Sequence, residues 1–397
     1  LLPEKAEILI IGAGILGFTL ARELVTRHYD DIVIIEKEAK AGCHASGRNS
    51  GVLHAGVYYA PDSLKAKICL QGNRLMRRYC EENGLPVLGK GKVIVAQNEG
   101  ELAVLQELYR RAAANGAKVD MVDERELEKI EPNARTAGKA LFCHDTAQVD
   151  PEAVLKRMQK ELTDSGKARL ITGCRFLGID GSKTARTTCG KIGFSRLVNA
   201  AGAHSDRLAH ALGIGRQYRL IPFKGIYYEL KESSPFTVNG NIYPVPDIRN
   251  PFLGVHFTRH VHGDVGIGPT AIPAFGRENY GLLEGIDAEG FPIAASNAVL
   301  FFSNAKFRSV ALSEPRKYLF HFFFRDAKKL VKNLSPSDIE PSGKVGIRAQ
   351  LVDWNTKELV MDFLVARDGE TLHILNPVSP AFTCSLSLAR QIVDSHF

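Results

Sequence analysis

The sequence contains no apolar run of the roughly 18–20 residues that a membrane span requires. Its longest apolar stretch, Ala6 to Phe18, is broken by glycines and carries Glu7, so it reads as a strand and a turn. It also has no C-x-x-C pair, and its seven cysteines, at 43, 69, 80, 143, 174, 189 and 384, are odd in number. Zinc clusters and a disulfide framework therefore lose support, no metal site is expected, and a reducing compartment fits best. No basic-then-apolar leader opens the chain, so secretion is not expected. Nor is there a strong charge bias: 51 Lys plus Arg against 44 Asp plus Glu gives +7. The basic residues are dispersed, with no aromatic stripe between them, and a nucleic-acid partner is not expected. A mild positive excess suits a small anionic substrate or a loose hold on an acidic membrane surface. Repeats and low-complexity segments are missing too. What remains, 45% hydrophobic and 24% charged over 397 residues, is an ordinary globular composition, long enough for two domains or one interleaved unit.

The first forty residues are the most informative. Glu7–Ile11 is a nearly continuous apolar run, as expected for a strand buried on both faces. It enters Gly12-Ala13-Gly14-Ile15-Leu16-Gly17, then a helical pattern through Thr26, then a second buried strand, Ile32–Ile35, ending in Glu36. Strand, glycine turn, helix, strand and acid form the dinucleotide-binding βαβ unit. Gly12 permits the tight turn, Gly14 lets backbone approach a pyrophosphate, and Gly17 lets helix and strand pack closely. The helix N-terminus at Ile15 and Leu16 offers N–H groups and partial positive charge to phosphates. Glu36 sits where a carboxylate accepts from a ribose diol, with Lys37 beside it.

A simple nicotinamide-binding half would continue into a helix and a third strand. Instead, residues 43–56 are small, polar and glycine-rich, with Val52-Leu53 embedded among the glycines. Such a loop can run along a long ligand, offering Ser46, Gly47, Asn49, Ser50 and Gly51. Further on, Arg196–Gly202 is a strand entering a small-residue turn at Ala200 and Gly202, followed by the amphipathic Ser205–Leu212. Gly346-Ile347-Arg348 precedes a strand, and the turn at Pro377, Ser379, Pro380 and Ala381 opens a helix over Phe382–Val393. Glu101–Ala114 and Pro151–Asp164 read as amphipathic helices. Gly225–Leu230, Phe252–Phe257 and Val265–Gly268 alternate in polarity between Pro and Gly clusters and read as sheet.

These motifs resemble the FAD-dependent oxidoreductases of the D-amino-acid oxidase superfamily, and within it the L-2-hydroxyglutarate oxidases and dehydrogenases. The likeness rests on GAGILG at 12–17, HASGRNSGVLHAGVYY at 44–59, SLKAKICLQGNR at 63–74 and PFKGIYYEL at 222–230. It continues with YPVPD at 243–247, PFLGVHFTR at 251–259, GIRAQ at 346–350 and NPVSPAFT at 376–383. Residues 283–332 match little. The resemblance implies an α/β (α+β) fold: a Rossmann-type FAD-binding domain at 1–90, 148–220 and 340–397, and an interleaved β-sheet substrate domain at 91–147 and 221–339. It implies FAD as cofactor, a small anionic hydroxy acid as substrate, and oxygen or a quinone as electron acceptor. The expected reaction is oxidation of a 2-hydroxy acid, foremost L-2-hydroxyglutarate, to the 2-oxo acid. An amine or amino-acid oxidase of the same superfamily and a non-catalytic flavin-binding redox partner are the alternatives.

Oxidising a secondary alcohol needs a hydride acceptor, a base and cations for the carboxylates. Histidine is the natural base near neutral pH. His256, mid-strand in the substrate half, and His54, in the cofactor loop, are the candidates. Arginine's fork suits a carboxylate: Arg348 and Arg259 qualify, with Lys224 beside them and Tyr59 as a hydroxyl donor. Arg259, three residues past His256, faces the opposite side on a regular strand. It shares a pocket with His256 only if the strand bulges. The N-terminus of the last helix is placed to stabilise negative charge on a reduced flavin. Arg316–Lys332 mixes aromatic and basic residues and reads either as a half-buried helix or as an interfacial membrane helix. A cytoplasmic protein, or one held peripherally at the inner membrane, is expected.

Overall fold

Two units emerge from the chain in the computed structural model, which describes residues 2–247 and 252–397. The first comprises Leu1–Asn49, Pro151–Pro222 and Arg348–Phe397; the second comprises Ser50–Asp150 and Phe223–Ile347. Residues 50–90, expected with the first domain, belong to the second unit. The reason is pairing: Val52–Leu53 joins Ala147–Val149 antiparallel, and the Asn73 amide on helix Leu64–Glu82 donates to the carbonyls of Leu53, His54 and Asp145.

In the first unit, strand β1 (Lys5–Ile11) feeds helix α1 (Ile15–Thr26) and strand β2 (Ile32–Ile35). Ile8, Leu9 and Ile10 are all fully buried, which is why the C-terminal half of β1 is a continuous apolar run rather than an alternating one. β1 pairs parallel with β2 and with Gly190–Asn199, and β2 pairs parallel with Ala168–Ile171. Thr371–Ile374 joins the far end of Gly190–Asn199, again parallel. Helices Pro151–Asp164 and Ala381–His396 pack against α1, the second of them longer at both ends than the 382–393 pattern suggests.

The second unit is built on a sheet in the spatial order Tyr218–Leu230, Val265–Gly268, His256–Arg259, Asn241–Pro244, Lys92–Val95, Lys139–Cys143, Val119–Asp123. Registers Ile242↔Phe257, Phe257↔Ile267 and Ile242↔Val93 put these side chains on one face. With Phe323, Ala327 and Leu330 of the helical segment beyond, they form one apolar core. Phe320 and Phe324 also pack on it, so this part of Arg316–Lys332 is the half-buried helix face, while Tyr318 and Leu319 are exposed. No helix among the described residues is long and apolar enough to cross a membrane. The strand expected over Phe252–Phe257 begins only at His256. Gly254 has φ +75°, a turn conformation that ends the extended run before it. Pro251, first residue of the 251–259 motif, lies outside the described residues.

One buried carboxylate ties this sheet's edge loop. Glu131 is 2% exposed, and its two oxygens accept from the Asn239 and Gly240 N–H groups at 2.8 and 2.9 Å. Burial pushes its carboxyl above the ordinary range, opposed by those two donors and by the charge of Arg259. Glu131→Ala leaves two buried donors without acceptors and should cost about 2–4 kcal/mol. Chemical denaturation of the variant checks this, and a loss below about 0.5 kcal/mol would show that the loop finds other acceptors.

Candidate active site

The glycine turn of the first unit is stereochemically obligatory. Gly12 has φ +108°, and a Cβ there would stand 2.5 Å from the Ala200 carbonyl oxygen; at Gly17 it would stand 2.0 Å from the Gly12 oxygen. Neither position accepts a side chain without moving backbone. Gly14 meets the Ser46 hydroxyl, which accepts from the Ile15 N–H at 2.9 Å. Glu36, 8% exposed, accepts from Ala13 N–H at 2.9 Å and from Glu38 N–H at 3.0 Å. The first-turn N–H groups of Leu16 and Gly17 have no carbonyl one turn back.

Loop 42–49 is folded onto this turn. Gly42 donates to Ala13 O at 3.2 Å, and a Cβ at Gly47 would stand 2.5 Å from Gly42 O. The Asn49 amide donates back to the carbonyls of Ala45 and Ser46. Lys37 pairs with the Glu38 carboxylate, and His44 contacts both, 3.0 Å from each; the lysine pulls the Glu38 carboxyl below its usual range. Near Ala200 and Gly202, fully buried Asn199 fixes the strand end, donating to Ser205 O and lying 3.1 Å from His373. The Pro377–Ala381 turn hangs from buried Asn376, which donates to the carbonyls of Val360 and Asp362 and accepts from Leu351 N–H. Arg348 is half-buried in the strand before it. A turn that excludes side chains, with an acid at the strand end, is a cradle that fits the phosphates and ribose of a dinucleotide.

In the second unit, His256 is 6% exposed. Its Nδ1 lies 2.8 Å from Gly254 O, a group that can only accept, so Nδ1 donates there. Its ring stacks on Tyr243, centroids 3.8 Å apart and 20° from parallel. The strand His256–Arg259 is regular, pairing residue for residue with Val265–Gly268, so alternation puts Arg259 on the opposite face from His256. There it donates to Val238 O at 3.0 Å and faces the Glu131 side of the sheet. Arg259 is thus corrected from substrate cation to loop anchor. Lys224 is buried, with its Nζ donating to Gly281 O at 2.6 Å; burial lowers its pKa. Gly51, with φ +71°, accepts from Val149 N–H, which pins the loop beside Ser50. The backbone around His54 is held by Asn73, and that around Tyr59 by the Asn115 amide, which donates to Gly56 O and Tyr59 O.

The residue that sequence reasoning missed is Lys92. Strand alternation puts Lys92, Asn241, Tyr243, His256 and Thr258 on one sheet face. Lys92 is 1% exposed, and its Nζ has no hydrogen-bond partner among the described residues. It lies over the rings of Tyr58 and Tyr243, 4.4 and 4.9 Å from their centroids. Burial also pushes the Tyr58 phenol well above its ordinary range. The sequence GKVIV offers no hint of this, because one lysine before three apolar residues reads as a strand end.

A model of the FAD-dependent oxidoreductase family matches residues 7–395. The chain is 37% identical over 416 residues to the mitochondrial L-2-hydroxyglutarate dehydrogenase of Nematostella vectensis, covering 98% of this chain and 90% of that one. It is 35% identical over 394 residues to the L-2-hydroxyglutarate dehydrogenase of Escherichia coli K12, covering 98% and 92%. Among solved structures, dithionite-reduced L-alpha-glycerophosphate oxidase from Mycoplasma pneumoniae with FAD bound aligns with TM-score 0.77 at 21% identity, over 98% and 94%. Glycine oxidase from Geobacillus kaustophilus aligns at 0.69 and 19%, over 99% and 94%. The last two similarities speak for the fold alone.

Two predictions follow from these sites. Glu36→Ala removes a charged acceptor worth about 1.5–3 kcal/mol, so affinity for FAD should fall roughly 10- to 150-fold; titration of the apoprotein measures it, and unchanged affinity would place the ribose elsewhere. For Lys92, burial lowers the pKa from 10.5 to about 8. The unfolded chain therefore binds more protons between those values, and stability rises with pH across that window. Below pH 8 the full penalty, about 3 kcal/mol less any cation–π return, is present. Lys92→Met should stabilise the protein most at pH 7 and least above pH 10.5. An equal effect at both pH values would show that burial does not lower the Lys92 pKa.

Proposed function

The chain belongs to the family of FAD-dependent oxidoreductases, and from that premise we propose that it oxidises L-2-hydroxyglutarate to 2-oxoglutarate. The observation that carries this reading is His256: a buried imidazole whose Nδ1–H is committed to Gly254 O, so that Nε2 is the basic nitrogen. Similarity to L-2-hydroxyglutarate dehydrogenases along nearly the whole chain supports the substrate.

When bound, FAD supplies the hydride acceptor. The chain supplies the rest. The closed glycine turn and Glu36 hold the dinucleotide. His256 Nε2 takes the hydroxyl proton as the substrate C–H bond breaks. The Tyr243 stack and the Gly254 carbonyl keep that imidazole in one orientation and one tautomer. Arg348 is the guanidinium offered to a carboxylate, and Lys224 keeps further donors on an ammonium already fixed to Gly281 O. His54 and Tyr59 line the loop that runs along the cofactor. An external acceptor, oxygen or a quinone, closes the cycle. A cytoplasmic location, with peripheral contact at the inner membrane where a quinone is the acceptor, completes the reading.

His256→Ala should retain FAD but slow flavin reduction by L-2-hydroxyglutarate by roughly 100-fold or more, the scale of losing a general base. His54→Ala should weaken cofactor binding as well as rate. Rapid-mixing absorbance of both FAD-loaded variants measures the two effects. Near-wild-type reduction by His256→Ala would remove it as the base, and reduction by the 2-amino acid but not the hydroxy acid would overturn the substrate.

A further inference from the structure

Two of the cysteines meet side by side in the first unit, and they differ in exposure: Cys174 is 1% exposed, whereas Cys189 is open to solvent. Both thiols are free. Cys189 lies in the two-residue turn between Thr187 and Gly190, which joins strand Thr184–Thr187 to Gly190–Asn199. The Phe176↔Thr187 pairing, and the Thr188 N–H donating to Arg175 O at 2.9 Å, bring Cys174 alongside that turn. Thr187 Oγ1 serves both residues, accepting from the Cys174 thiol at 3.3 Å and from the Cys189 N–H at 3.1 Å. Cys189 Sγ lies 3.8 Å from Gly173 O, and its thiol interacts directly with that of Cys174. Burial raises the Cys174 pKa, and the Cys189 thiol adds to that rise against the Thr187 hydroxyl.

The pair borders the dinucleotide cradle. The Cys174 N–H donates to Glu36 O at 2.8 Å, and the Gly173 N–H donates to Glu38 O at 2.8 Å. The Glu36 N–H in turn donates to Ile171 O at 2.9 Å. The peptide that carries the ribose acid therefore hangs on the peptide that carries the buried thiol. The turn holding Cys189 opens Gly190–Asn199, which pairs with β1 and leads to Ala200, against which Gly12 lies. A bond between the two sulfurs joins both sides of the cradle.

We propose that Cys174 and Cys189 form a reversible disulfide whose oxidation state sets how firmly the Glu36 segment holds FAD. The oxidant is a peroxide, here hydrogen peroxide. The Cys189 sulfur, the one solvent reaches, attacks as the thiolate. The O–O bond breaks, leaving a sulfenic acid on Cys189 and, with the proton the thiol gave up, one water. The Cys174 sulfur then attacks the sulfenic sulfur. The S–S bond forms as the S–O bond breaks, and hydroxide leaves with the Cys174 proton as a second water. Two thiols lose two electrons, and one peroxide becomes two waters. A dithiol reductant reverses the step by exchange. Disulfides of reducing compartments are transient and redox-sensing, which is the use assigned to this pair. The proposal goes beyond the functional reading and uses neither its substrate nor its base.

Near-stoichiometric hydrogen peroxide added to the FAD-loaded protein tests it, read by alkylation with peptide mapping and by FAD fluorescence after dilution. The peptides carrying Cys174 and Cys189 should be linked, with a mass loss of about 2 Da for the pair of thiol hydrogens. Dithiothreitol should restore both free thiols. The oxidised protein should release FAD about tenfold more slowly than the reduced one, because the cross-link opposes local opening of the strand ends beside Glu36. Cys189→Ser, a change at an exposed turn, should form no link and release FAD at the reduced rate with or without peroxide. Two thiols still open to alkylation after peroxide overturn the proposal. So does a sulfinic acid at Cys189 beside a free Cys174, or a Cys189–Cys189 link between two chains. Equal FAD release by the oxidised and reduced forms, or equal slowing in Cys189→Ser, overturns it as well. None of these measurements needs turnover, so their outcome is separate from whether L-2-hydroxyglutarate is the substrate.

Discussion

Glu36 sits buried at the end of β2, one oxygen accepting from Ala13 and the other from Glu38. The Ala13 bond clamps the glycine turn to the neighbouring strand, the Glu38 bond fixes the carboxylate that makes it, and much of the first unit follows from the clamp. With the turn closed, Gly12 lies against Ala200 and Gly17 against Gly12, at separations that no side chain survives. β1 can then stay parallel to both β2 and Gly190–Asn199, and α1 starts with its N–H groups pointing away from the sheet. Loop 42–49 completes the arrangement through Gly42 and Ser46.

The second unit depends on a different constraint, strict alternation across its sheet. One face, from Val93 to Phe257 and Ile267, builds an apolar core. The other carries Lys92, Asn241, Tyr243, His256 and Thr258. Burying an ammonium without an acid or a hydrogen-bond acceptor is costly, and the fold accepts that cost beside the ring that stacks on His256. The same alternation sends Arg259 to the far face, where it serves the Glu131 loop. A single residue of strand slip would exchange the two roles.

The likeness to glycerophosphate and glycine oxidases is one of scaffold, since a shared fold at such low identity hosts many chemistries. The features of this chain on which its chemistry and surface turn lie in particular places: the imidazole held by Gly254, the buried Lys92, and helix Gly290–Ser303 with apolar residues on both faces. That helix falls within residues 283–332, where the family motifs are silent.

Sequence alone determined the local elements whose physics is local. β1, α1 and β2 were legible because apolar runs, helical spacing and glycine stereochemistry act within a few residues, and so was Pro151–Asp164 with proline in its first turn. The alternation of His256 and Arg259 already set the condition under which they could share a pocket. Only the tertiary structure decided that the condition is not met, because regularity of that strand depends on its pairing with Val265–Gly268. It also moved residues 50–90 into the second unit through Asn73, whose three carbonyl partners lie up to 72 residues away in sequence. Lys92 and the outer face of Gly290–Ser303 were illegible for the same reason. A lysine is buried, or a phenylalanine exposed, by what packs beside it, and no spacing along the chain records that.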